Sequence, residues 1–208
     1  MVSENNMKVV LATQNKGKVR EFKQSLQELG WEILSLDEFS DLPDIIEDGE
    51  TFCENAIIKA RVVMEVTGLP AIADDSGIVV DALGGQPGVY SARYAGEDAT
   101  DAMNNKKLLE ELKAVPPQER TAKFVSCIAY MDASDPEPIL FEGECHGLII
   151  DTPRGTEGFG YDPLFYIEEE GKTMAEVSLE RKNEISHRAM ALNGMKKFFK
   201  NIDTEPTA

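Results

Sequence analysis

The chain has 208 residues and a formal net charge of −17, from 38 acidic against 21 basic side chains. With 42% hydrophobic and 28% charged residues it has the composition of a soluble globular protein, long enough to bury a sizeable core as one domain. The acidic excess argues against broad nucleic-acid binding, and no apolar run is long enough to span a bilayer. The start, "MVSENNMKVV", lacks the basic-then-apolar pattern of a secretory signal. Cys53, Cys127 and Cys145 show no metal-ligand spacing and read as reduced, mostly buried thiols of a cytoplasmic protein.

"KVVLAT" (Lys8–Thr13) predicts a strand, and the sixteen residues after it predict a helix closed by Gly30, with Val19, Phe22, Leu26 and Leu29 on one face. "EILSL" predicts a second strand, and the acidic "DEFSDLPDIIEDG", broken by Pro43, a loop. Thr51 and Glu54 have the spacing of a capping box, opening a helix through about Val66. "PAIADDSG" predicts a strand with "GIVVDAL" extended after it, followed by the long loop "GGQPGVYSARYAG". A helix over "DATDAMNNKKLLEELKAV" stops at Pro116-Pro117. "TAKFVSCIAYMD" and "PILFEGECHGLII" predict an antiparallel hairpin turning at Asp135-Pro136, then loop and strand over "GTEGFGYDPLFYI". A helix containing "HRAMALNGMKKFFKNI" closes the chain. The expected fold is α/β, an elongated central mixed sheet flanked by helices, in two lobes with an active-site cleft between them. Residues 1–6 and 203–208 read as flexible tails on this single domain.

Several segments carry groups suited to a nucleotide. Thr13, Gln14, Asn15, Lys16, Gly17 and Lys18 join a strand to a helix, where backbone N–H groups and the dipole favour phosphate. Any such turn also needs a cap, and the Walker A spacing is absent. Asp74 and Asp75 end a buried strand, where α/β proteins place ligands. Neighbours on an extended chain point to opposite sides, so the two acids should have different tasks, one structural and one facing the ligand. Hard carboxylate oxygens suit Mg²⁺, although Asp-Ser-Gly is also an ordinary turn sequence. Asn55 and Lys59 share a helix face, and Arg93 lies between Tyr90 and Tyr94. Phe159 and Tyr161, on a glycine-rich loop, could lie against a base or simply pack in the core. Lys182, His187 and Arg188 add donors, with no zinc spacing around either histidine.

"TQNKGK", "FCENAIIKA", "ADDSGIVVDALGGQPGVYSARYAG", "GFGYDPLF" and "SHRAMAL" occur in the order seen in the inosine triphosphate pyrophosphatase family, also described as XTP/dITP diphosphatases. The chain resembles that family from Lys8 to about Phe199. The resemblance implies a homodimer that hydrolyses non-standard purine nucleoside triphosphates (ITP, dITP, XTP) to the monophosphate and pyrophosphate with Mg²⁺, removing them from the nucleotide pool. Thr13 to Lys18 would contact the triphosphate, and Asp75 would bind the metal and accept a proton, with Ser76 beside the substrate. Phe159, Gly160, Tyr161 and Asp162, with Lys182, His187 and Arg188, would line the nucleoside pocket. Lys59 and Arg93 also match motif positions. The second metal carboxylate would come from the loop before Thr51: Glu47, with Asp48 as a rival. Two other readings stay open. One is a pyrophosphatase acting on other modified nucleotides, such as methylated pyrimidines; the other is a nucleotide-binding regulatory module without turnover.

Overall fold

A computed structural model describes residues 7–40 and 42–204. The sheet has seven strands: β1 (Lys8–Leu11), β2 (Glu32–Ser35), β3 (Ala71–Val80), β4 (Thr121–Asp132), β5 (Asp135–Ile149), β6 (Phe165–Ile167) and β7 (Lys172–Thr173). Their order is β2-β1-β3-β4-β5-β6-β7. β1 runs parallel to β2 and β3, while β5–β6 and β6–β7 pair antiparallel. The mixed sheet flanked by helices is the expected fold class. Five α-helices accompany it: α1 (Lys16–Leu26), α2 (Phe52–Thr67), α3 (Asp101–Glu111), α4 (Leu179–Ile185) and α5 (His187–Thr204).

The chain divides into two compact units, 1–75 with 127–142 and 190–208, and 76–126 with 143–189. In the first, strand alternation sorts the apolar side chains onto two faces. Val9, Leu11, Ile72, Ile128 and Tyr130 pack with Phe22 and Leu26 of α1 and with Ala191, Leu192 and Met195 of α5. Val10, Ala12, Ala71, Ala73, Ala129 and Met131 pack with Ala56, Ala60, Val63 and Met64 of α2. Fully burying a large aliphatic or aromatic side chain here contributes about 1.5–3 kcal/mol. In the second unit, one cluster gathers Ile78 and Val80 of β3, Phe124 of β4, Ile149 of β5, Phe165 of β6 and Leu108 of α3.

The structure alters several expectations. β3 is one continuous strand through both acids, not a strand followed by an extended piece. The loop after it contains a 3₁₀ turn over Gly88–Arg93. Asp203 and Thr204 belong to α5 rather than to a tail, whereas residues 1–6 and 205–208 lie outside the described residues. Cys53 and Cys127, 74 positions apart, are joined in a disulfide. The reading of three reduced thiols therefore holds only for Cys145, which is free and buried. Such a separation leaves no short-range spacing to read.

Candidate active site

In the first unit the alternation that sorts the core also separates the two acids. Asp74 follows the parity of Ile72 and turns toward α1, where its carboxylate pairs with Lys18 Nζ at 2.7 Å. Asp75 follows Ala73 and turns toward α2, where Lys59 Nζ donates to its Oδ1 at 2.9 Å and Asn55 Nδ2 to its Oδ2 at 3.3 Å. Asn55 and Lys59 are one helical turn apart, so both reach the same carboxylate.

A third carboxylate joins this group. Lys59 Nζ also donates to Glu47 Oε2 at 2.7 Å, so Glu47 and Asp75 converge on one ammonium group. The loop carrying Glu47 is sewn to the start of α2. Thr51 and Glu54 form the expected capping box, and Glu54 also accepts the Glu50 N–H at 2.7 Å. Gly49 donates its N–H to Asn55 Oδ1 at 2.8 Å. A Cβ on Gly49 would lie 2.7 Å from Glu54 Cβ and 2.8 Å from Asn55 Oδ1, so only glycine permits this approach. Asp48, the rival for the metal carboxylate, is exposed.

Burial pushes the Asp75 carboxyl above its ordinary value, and the neighbouring Glu47 charge adds to this against the pull of Lys59 and Lys18. For Glu47, partial burial acts upward, but the charge and hydrogen bond of Lys59 and the contact with Asp75 hold it below its usual range. Burial acts to lower the Lys59 pKa, but the charges and hydrogen bonds of Asp75 and Glu47 outweigh it and raise the pKa above its ordinary value.

The Thr13–Lys18 turn is more occupied than the sequence suggests. Asn15 Oδ1 accepts from the Gly17 and Lys18 N–H groups at 2.9 and 3.1 Å, and Thr13 Oγ1 accepts from Asn15 N–H at 3.2 Å. Asn15 thereby caps α1 and takes two of the N–H groups expected to face phosphate. The side chains of Gln14, Asn15 and Lys16 are exposed.

The second unit holds a different polar group. Asp162, 3% exposed, accepts from Lys182 Nζ at 2.8 Å and from the Phe159 N–H at 3.0 Å. Gly158 has φ +79°, and a Cβ there would run into the Asp162 carboxylate. The Phe159 ring has Lys182 Nζ at 4.7 Å and the Arg188 guanidinium at 5.9 Å from its centroid. Arg188 Nη2 donates to Ser76 Oγ at 2.9 Å. His187 stacks on Phe124 with ring centroids 4.9 Å apart. Tyr161 donates its hydroxyl to the Ser91 carbonyl at 2.8 Å, and burial first, with nearby Tyr94 and Asp101, raises its pKa. That phenol braces the long loop from inside the core. Arg93 lies over the Tyr90 ring at 5.2 Å and 3.9 Å from Glu97.

Sequence reasoning alone did not assign Asn55 to Asp75, Asp74 to Lys18, or the contacts of α3 with Gly160 described below. The first had a signal, the four-residue spacing to Lys59. The others join residues more than fifty positions apart.

The sequence matches the Ham1 family over residues 9–198. It is 57% identical to a dITP/XTP pyrophosphatase of Geobacter sulfurreducens over 89% of this chain and 92% of that one. A dITP/XTP pyrophosphatase of Geobacillus kaustophilus is 52% identical over 93% and 95% of the two chains. Among solved structures, a HAM1 protein from Coxiella burnetii superposes with a TM-score of 0.86 at 46% identity, covering 94% of this chain and 99% of that one. The chain belongs to the Ham1 family.

Proposed function

We propose that the protein is a nucleoside-triphosphate pyrophosphatase that hydrolyses ITP, dITP and XTP to the monophosphate and pyrophosphate. The names carried by its relatives support this substrate class. The observation that carries the reading is the convergence of Glu47 and Asp75 on Lys59. The donor set fits a hard divalent cation: two carboxylates, Glu47 and Asp75, already meet at one positive point. Among the described residues no group of three or more His, Cys, Asp or Glu side chains gathers as a self-sufficient metal cage. Two carboxylates completed by substrate oxygens and water is a magnesium pattern rather than a zinc one.

In this reading Glu47 and Asp75 would hold Mg²⁺, which would supply Lewis-acid polarisation of the scissile phosphoryl group. Asp75 accepts the proton of the attacking water. Lys59 and Lys18 neutralise phosphate charge, with Lys18 held by Asp74. Thr13 to Gly17 flank the same phosphates, and Asn15 exchanges its cap for them. Phe159 lies against the base, while Arg188, Lys182 and His187 donate to it. Hypoxanthine and xanthine present an oxygen acceptor at C6, where adenine presents an amino donor, so donors favour the former.

The reading extends to a homodimer in the cytoplasm that binds no nucleic acid. The charge of −17 works against nucleic acid. No described helix is long and apolar enough to cross a membrane.

A pyrophosphate-release assay across ITP, XTP, ATP, GTP and a methylated pyrimidine triphosphate tests the function. Preference for ITP and XTP is the expected result. Preference for the pyrimidine would favour the neighbouring enzyme class, and binding without release would mean a regulatory module.

A further inference from the structure

The turn carrying Phe159 is gripped by a helix that the nucleotide reading leaves without a task. Gly160 N–H donates to Asp101 Oδ2 at 2.7 Å. Asn105 Nδ2 donates to the Gly160 carbonyl at 2.9 Å. Asp101 and Asn105 stand four positions apart on α3 and so share one face. They fix two successive peptide groups, 159–160 and 160–161, by a donor and an acceptor of opposite polarity. Gly160 has φ +61°, a left-handed conformation that places the preceding residue at a sharp corner. On its other side, Asp162 fixes the Phe159 N–H. With both neighbouring peptides held, the direction in which the Phe159 side chain leaves the backbone is fixed.

We propose that Asp101 and Asn105 are positioning residues for base recognition. They touch no substrate; they clip the Gly160 turn to α3 so that Phe159 presents its ring at the distances from Lys182 and Arg188 seen in the structure. This rests on the reading that Phe159 lies against the base. The clip is separable from the stability of α3. Thr100 already caps that helix, accepting the Met103 N–H at 3.3 Å. Asp101 is exposed, so truncating it leaves no cavity. A merely structural Asp101 would add a modest favourable term to the helix dipole and would leave substrate affinity alone.

The test compares Asp101→Ala, Asp101→Asn, Asn105→Ala and Thr100→Ala in steady-state hydrolysis of ITP by the full chain. Amide hydrogen exchange at Gly160 is followed alongside. Asp101→Ala should raise KM for ITP roughly ten- to hundredfold, the range for a lost charge-assisted hydrogen bond, with a smaller change in kcat. Protection of the Gly160 amide should fall with it. Asp101→Asn retains an acceptor oxygen and should restore most of both signals. Asn105→Ala should act in the same direction on KM. Thr100→Ala should destabilise α3 while leaving KM in place. An unchanged KM in Asp101→Ala and Asn105→Ala, or an equal rise in Thr100→Ala, overturns the proposal and leaves the base reading standing. Failure of the unaltered protein to hydrolyse ITP overturns the base reading itself.

Discussion

In the first unit three carboxylates, Glu47, Asp74 and Asp75, share two ammonium groups, those of Lys18 and Lys59. In the second unit Lys182 and Arg188 gather around one aromatic ring, and Lys182 also pairs with the Asp162 carboxylate. The two groups are also built differently. Asp74 and Asp75 sit on a strand and Glu47 on a loop sewn to α2, whereas the ring stands on a glycine turn held by hydrogen bonds from both sides. In the proposed reading the acid-rich group takes the metal and the cation-rich group beside an aromatic face takes the base, although the chain as a whole is strongly acidic.

The largest expected effect breaks the acid side. Asp75→Asn keeps the shape but removes the charge and the basicity, so turnover should fall by at least ~10²–10⁴-fold. Pyrophosphate release and a thermal melt together check this, and the melting temperature should not fall. Near-normal activity at saturating Mg²⁺ would move the role to Glu47 or Asp74.

On the cation side, Arg188→Ala should lower kcat/KM for ITP roughly ten- to hundredfold more than for ATP, the cost of one lost donor in a desolvated pocket. Selectivity of ITP over GTP should change less, because guanine also carries a 6-keto oxygen. Equal losses on ITP and ATP would assign Arg188 to the phosphates or to the fold.

Two smaller effects concern the frame of the first unit. The Cys53–Cys127 bridge closes a 74-residue separation, and removing it by Cys53→Ser should cost about 2–4 kcal/mol in denaturant unfolding. Added dithiol reductant should abolish the difference between the two proteins. A bridge of this kind is uncommon in a reducing cytoplasm, which makes the comparison under reductant informative. Smallest is Glu28, whose carboxyl is held down to about 2, from 4.5, by hydrogen bonds from Lys196 and Lys200. A depressed carboxyl stabilises above its unfolded value and loses that contribution as the pH falls from about 4.5 toward 2. Its side chain is 46% exposed, so Glu28→Gln should cost under ~1 kcal/mol near neutral pH. Unfolding curves of the two proteins should converge near pH 2.

The sequence made the mixed fold legible because β1, α1, α2 and β4 each carry a strong local signal: alternation, helical spacing, or a cap. The capping box at Thr51 and Glu54 is present as expected. The opposite orientations of Asp74 and Asp75 follow from strand parity alone, and the structure pairs them with lysines of different helices, α1 and α2. The occupied cap at Asn15 was not legible, because a polar turn reads alike whether its N–H groups are free or taken. Nor was the Cys53–Cys127 bridge or the grip of Asp101 on Gly160, since each joins segments that only the folded chain brings together. The family resemblance singled out Phe159 and Arg188, but their relation through one ring required coordinates.

Product analysis tests the acid–lysine group as a metal seat most directly. ITP is incubated with the protein in Mg²⁺ and in excess chelator, and the products are separated by ion-exchange chromatography. The account predicts IMP and pyrophosphate in equal amounts, without IDP, and no reaction in chelator. IDP with orthophosphate as first products, or turnover indifferent to the chelator, would contradict it.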